Sequence, residues 1–113
     1  MGATPRLVTL QNAAGATGNG TVINTMSGYA WMTVDVSGTF TATLTFEGTI
    51  DGTNWFAVGL QPWAGGALAT TATAAGQFKL PTDLLLDKFR ARVSAWTSGA
   101  VTAKAFVLSR DIG

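Results

Sequence analysis

The side chains able to do chemistry in this chain are few, and most of them gather around one stretch, TFTATLTFEGTIDGTNW. Glu47 and Asp51 stand four residues apart in it, on the same side of an alternating run. A pair of carboxylates is what a glycosidase needs for acid/base or nucleophilic attack on a sugar bond. At roughly 3.3 Å per strand residue the two lie about 13 Å apart along the backbone, beyond the roughly 5–9.5 Å that either glycosidase mechanism uses. Calcium accepts scattered oxygens and could be offered Asp51, Asn54 and Glu47, but no dense acidic loop surrounds them. Arg90 and Arg92 are expected to pair with Glu47 or Asp51 across a sheet. With Trp55 directly after it, the Asp51-Gly52-Thr53-Asn54 turn then reads as a braced structural corner rather than a site.

The rest of the inventory narrows the chemistry further. Histidine and cysteine are absent, which removes the usual proton shuttle near neutral pH, the commonest transition-metal ligand, thiolate sites and disulfides. No catalytic residue, metal or cofactor is expected. Seven Lys and Arg against six Asp and Glu give a net charge of +1, too balanced to capture nucleic acid or an anionic membrane. Trp31, Trp55, Trp63 and Trp96, with Tyr29, raise a different function, the stacking of sugars on exposed rings. The alternative is that Trp55 and one or two others pack over the core, where each buries a large apolar area. Trp63, in a glycine-rich loop, is the best candidate for exposure.

These residues have to be positioned by strands. The chain has 113 residues, the size of one domain with one core, with residues 1–5 as a candidate flexible arm. Hydrophobic residues make up 47% and charged residues 12%, so much of the surface must be uncharged. The uncharged run from Leu7 to Val34 is broken by glycines and polar residues and does not read as a membrane helix. The N-terminus lacks the pattern of a secretory signal, which implies folding where the chain is made, in the cytoplasm of the producing cell.

Short alternating runs recur between glycine-rich breaks. Eight strands are predicted, over residues 6–11, 21–25, 29–36, 39–50, 55–61, 76–80, 87–96 and 101–110, with 97–99 turning the last two into a hairpin. Alternation points Phe40, Leu44, Phe46, Ile50, Phe89, Val93 and Val101 inward. It leaves a face of threonines, Glu47 and Thr49 as a solvated, structural one, because threonine is β-branched and shows water a hydroxyl. Ala95 is expected inward with Phe89, Ala91 and Val93. Residues 81–87 break the pattern. Thr82 or Asp83 offers an N-cap before Leu84, Leu85 and Leu86, but the segment is too short for an independent helix and reads as a loop crossing between sheets. Its leucines either plug one end of the core or form a subunit contact. The fold class predicted is an all-β antiparallel sandwich or jelly-roll-like domain.

The segments VTLQNAAGATGNGTVINT, YAWMTVDVSGTFTATLTFEGTIDGTNWFAV, GQFKLP and FRARVSAWTSGAVTAKAFVLSR resemble a group of small β-sandwich structural proteins of tailed bacteriophages. The pattern carrying the resemblance falls on Gly38, Phe46, Glu47, Gly48, Asp51, Gly52, Trp55, Arg90, Arg92, Val93, Ser98 and Gly99. Thr49 stands where serine is commoner, and both supply a hydroxyl. The resemblance implies a virion protein, foremost a capsid decoration protein on the outer head surface, bound to the major capsid protein or another virion protein. The alternative it implies is a tail, baseplate or head-fibre component with possible host-glycan binding. By analogy with decoration proteins at local threefold positions it also implies a homotrimer, for which Trp63, Leu84, Leu85 and Leu86 are the candidate contacts.

Overall fold

The computed structural model describes residues 5–24, 26–81 and 84–109. Residues 1–4 of the candidate arm, Thr25, the candidate caps Thr82 and Asp83, and Arg110 lie outside the described residues. Strands β1 (Pro5–Ala14), β2 (Tyr29–Ser37), β3 (Phe40–Thr49), β4 (Phe56–Ala57), β5 (Gln61–Pro62), β6 (Thr71–Ala72), β7 (Gly76–Lys79), β8 (Lys88–Gly99) and β9 (Val101–Ser109) make two antiparallel sheets. Sheet A runs β1-β9-β2-β7-β5. In sheet B, β3 pairs with β8 along one edge and with the short strands β4 and β6 in succession along the other. The fold is an all-β sandwich.

The inward faces carry what alternation predicts. Met32, Val34 and Val36 of β2, Leu44 and Phe46 of β3, Phe89, Ala91 and Val93 of β8, and Val101 to Val107 at every second position of β9 are all buried. Phe46 joins the two layers, with its ring 5.0 Å from Phe78 of sheet A edge-to-face and 6.5 Å from Phe89 beside it. Burying one such phenyl ring contributes about 1.5–3 kcal/mol. Gln11 also spans the layers from β1. Its buried amide donates to the Gly18 and Ala91 carbonyls at 3.1 and 2.8 Å.

Five expectations are corrected. The last two strands form no hairpin. β8 belongs to sheet B and β9 to sheet A, so residues 99–100 arch from one layer to the other, as residues 38–39 do between β2 and β3. The arches pack on each other. Gly38 and Gly99 have φ of 106° and 89°, and a Cβ on Gly99 would run into the Thr39 carbonyl and the Phe40 Cα. Ile50 points out, 70% exposed, because β3 ends at Thr49 and alternation stops meaning anything there. Ala95 is exposed too. Thr43 pairs with Ala95 but Leu44 with Val93, so Ser94 is an extra residue on β8. Such a bulge carries the next side chain to the other face.

Of the predicted strand 21–25, the described residues 21–24 form no strand. Gly18 and Ile23 make isolated bridges to Val93 and Phe89 on the free edge of β8, and a single 3-10 turn, Met26–Gly28, follows. Residues 55–61 divide between the sheets, β4 joining sheet B and β5 sheet A.

Candidate functional site

The acidic corner is built outward from β3. Glu47 faces Arg90 directly across the β3–β8 pair, and Thr45 faces Arg92 one step along. Glu47 Oε1 accepts from Arg90 Nε at 2.8 Å and from Arg92 Nε at 3.1 Å, while Oε2 accepts from Arg92 Nη2 at 3.0 Å. Partial burial works against the charged carboxylate, but the bonds from Arg92 and Arg90 outweigh it and hold Glu47 below the usual range. The same bonds raise Arg92. On its far side the Arg90 guanidinium lies 3.9 Å from the Trp55 ring centroid, a cation–π contact. The outer face of β3 is therefore not a plain solvated threonine ladder. Thr41 is exposed and Thr43 and Thr45 are half-buried, but Glu47 and Thr49 are buried.

Asp51 closes the turn after β3. Its Oδ1 accepts from the backbone N–H groups of Thr53 and Asn54, both at 2.8 Å, and from Thr49 Oγ1 at 3.0 Å. Oδ2 accepts from Asn54 Nδ2 at 2.7 Å. Thr49 Oγ1 in turn accepts from Gly52 N at 3.0 Å. The Asn54 and Thr53 amides hold the Asp51 carboxyl far below its ordinary value. Both carboxylates are thus committed to the protein's own donors. Among the described residues no group of three or more Asp, Glu, His or Cys is arranged to hold a metal ion.

The candidate contact residues fare unequally. Trp63 and Leu85 are 62% and 65% exposed, and Leu84 is half-buried against the core. Leu86 is a correction: it is 3% exposed, and its methyl groups fill the space over Gly48 that a Cβ would need. It is a core residue and no surface contact. The segment holding these leucines does cross from β7 in sheet A to β8 in sheet B.

The tryptophans also differ from the packing expectation. Trp55 is half-buried at the corner, whereas Trp31 and Trp96 are 55% and 38% exposed in addition to Trp63. Trp31 and Trp63 border one open groove of about 520 Å³ at the β2-β7-β5 edge of sheet A, with Thr33, Gln61, Leu68 and Lys79 also lining it. Lys79 Nζ lies 5.6 Å from the Trp63 ring centroid. Alternation along β2 sets Trp31 on the outer face, and the structure keeps it there. Its position opposite the buried Met32 side of β2 was the available signal.

Fold and side chains together define an all-β sandwich whose Glu47 and Asp51 carboxylates are bound within its own corner and whose exposed rings lie on both sheets, Trp31, Trp63 and Phe106 on the sheet A side and Phe56 and Trp96 on sheet B. The sequence matches no family model and no curated protein. Two solved structures share the fold. The SPBc2 prophage-derived protein YomS is similar over 95% of both chains, at 19% identity and a TM-score of 0.81. The PBSX exported protein XepA is similar over 95% of this chain, at 15% identity and a TM-score of 0.85, and this chain spans 38% of its length.

Proposed function

We propose that the chain is a bacteriophage structural protein without enzymatic activity, and that within this role it decorates the outer surface of the head. The observation that carries the phage assignment is the match to the prophage-derived YomS, which extends over 95% of each chain. The whole fold is shared, not a fragment of it.

The surface supports a role played through contacts. On the outer face of sheet A, Leu7 of β1 pairs with Phe106 of β9, which pairs with Thr33 of β2, and Trp31 lies two residues along β2. Leu7, Phe106 and Trp31 are 58%, 54% and 55% exposed. Large apolar side chains grouped on one sheet face of a protein this poor in charge mark a surface that other protein covers. Further copies of the chain, in the threefold arrangement the resemblance implies, and the major capsid protein are the proposed partners. A tail, baseplate or head-fibre position is the second reading. It is favoured by XepA, where the same fold makes up 38% of a longer chain.

The test mixes purified protein with undecorated heads and, separately, with tails, and locates added density by electron microscopy. Light scattering on the protein alone gives its copy number. Density over capsomers supports decoration, and density on tails alone moves the assignment to the second reading. A monomer that binds neither particle overturns the contact role, and a Leu7→Ser/Phe106→Ser variant that still binds moves it off this face.

A further inference from the structure

The groove at the sheet A edge has a composition that the contact role does not call for. Thr33, Lys79 and Gln61 stand in one cross-strand row over β2, β7 and β5, so a band of polar side chains crosses a groove whose other lining, Leu68, Leu80 and Pro81 beside the two indoles, is largely apolar. An indole rises at each end. Trp31 precedes Thr33 by two residues and Trp63 follows Gln61 by two, while β2 and β5 run in the same direction because each is antiparallel to β7. Two strand spacings across and four residues along place the two tryptophans about 16 Å apart on the diagonal.

The Trp63 end is held in place. Its backbone N–H donates to the Gln77 carbonyl at 2.9 Å, Gly65 N donates to the Pro62 carbonyl at 2.9 Å, and Gln61 Nε2 donates to the Gly66 carbonyl at 3.0 Å. Lys79 steadies the ring from one side, yet Trp63 stays 62% exposed. A platform fixed before the ligand arrives loses little entropy on binding.

We propose that this groove binds an oligosaccharide, with the apolar faces of sugar rings laid on Trp31 and Trp63 and their hydroxyls bonded to Thr33, Gln61 and Lys79. Lys79 in the middle of the polar row argues against a protein at this spot, because the centres of protein interfaces are depleted in lysine. A quaternary ammonium ligand is disfavoured, since Lys79 already places a cation beside Trp63. Single-stranded nucleic acid stacks on aromatic rings but needs a positively charged track, and among the described lining residues Lys79 is the one charge. The 16 Å diagonal spans several sugar rings, so the ligand class is a chain and not a monosaccharide. Trp31 borders both this groove and the contact face proposed above, but Trp63 lies in the groove alone, so Trp63→Ala that loses glycan while still binding heads separates the two readings.

The probe is a microarray of bacterial capsular and lipopolysaccharide O-chain oligosaccharides, followed by titration of the best binder against tryptophan fluorescence. The wild-type protein is expected to bind at least one oligosaccharide class. Trp63→Ala and Trp31→Ala should each weaken it by about tenfold or more at unchanged melting temperature, a ratio equal to about 1.4 kcal/mol. Trp96→Ala, outside the groove, should leave it unchanged. If Trp63→Ala also lowers the melting temperature, Trp63→Tyr, which keeps a stacking ring, must restore binding. Four results overturn the proposal: no wild-type signal on the array, binding that survives both alanine variants, Trp63→Tyr without binding, or equal binding of a single-stranded oligonucleotide.

Discussion

Replacing Glu47 by glutamine probes the corner most directly. Glutamine keeps the shape and one acceptor oxygen but removes the charge that three guanidinium bonds converge on. Glu47 and Arg90 have side chains 11% and 14% exposed, whereas Arg92 is 37% exposed. A hydrogen bond to a charged group is worth about 1.5–3 kcal/mol when shielded, and an exposed pair no more than about 1 kcal/mol. The Arg90 bond therefore dominates, and Arg92, open to water, adds a fraction. A loss of about 2 kcal/mol follows, short of the roughly 3–5 kcal/mol for breaking a fully buried pair. At about 4–8 °C per kcal/mol for a domain near this size, Glu47→Gln should melt about 10 °C below wild type. Urea unfolding followed by circular dichroism gives the free energy. A double-mutant cycle with Arg90→Gln should return most of it as coupling. A loss under about 0.5 kcal/mol, the range of an ordinary surface change, would refute the account of the corner as a brace.

Three further outcomes are expected. Gly99→Ala costs about 1–2 kcal/mol for the left-handed backbone alone, before its overlap with the neighbouring arch is relieved, and should be visible as a steep drop in the urea midpoint. Phe46→Asp buries an unpaired charge and should leave no soluble, cooperatively melting protein, while Ile50→Asp, on an exposed side chain, should melt within a few degrees of wild type. Asp51 and Glu47 both have depressed carboxyl values in the folded state, so the unfolded chain binds more protons. Their contribution is complete above the ordinary carboxylate range, about pH 4–5, and declines as pH falls below it toward the depressed values. Urea midpoints measured between about pH 6 and pH 2 should fall accordingly, Asp51→Asn should flatten part of the slope, and a flat wild-type profile contradicts the bonding described.

The long strands were legible because each keeps one face buried over many residues. β2 and β9 alternate through most of their length and β8 does so up to Val93, and the pairing of Glu47 with Arg90 and Arg92 needs only that β3 and β8 be neighbours. What alternation does not encode is which layer a strand joins. Ser37-Gly38 and Ser98-Gly99 look like hairpin turns, yet both carry the chain across the sandwich, since a left-handed glycine suits either use. Ile50 and Ala95 show the other limit. One lies a residue past its strand and the other a residue past a bulge, and in both the period breaks without any change in residue type. Leu86 and Leu85 are chemically identical neighbours, and only the open space above Gly48 decides which is core.

The two arches have a consequence for how the protein is made. Because they send consecutive strands to opposite layers, β9, which follows every other strand in the chain, lies in the interior of sheet A between β1 and β2. β1 and β2 have no partner in each other until β9 arrives, and β3 waits in the same way for β8. Long-range pairing of this kind folds slowly and leaves strand edges exposed meanwhile. A nascent chain on the ribosome therefore leaves β1, β2 and β3 without their long partners until β8 and β9 have emerged, β2 having only β7 and β3 only the short β4 and β6 before then. Chains cut short before β9 lack the middle of a sheet, so they are material for proteases, and only chains translated through it can complete the sandwich.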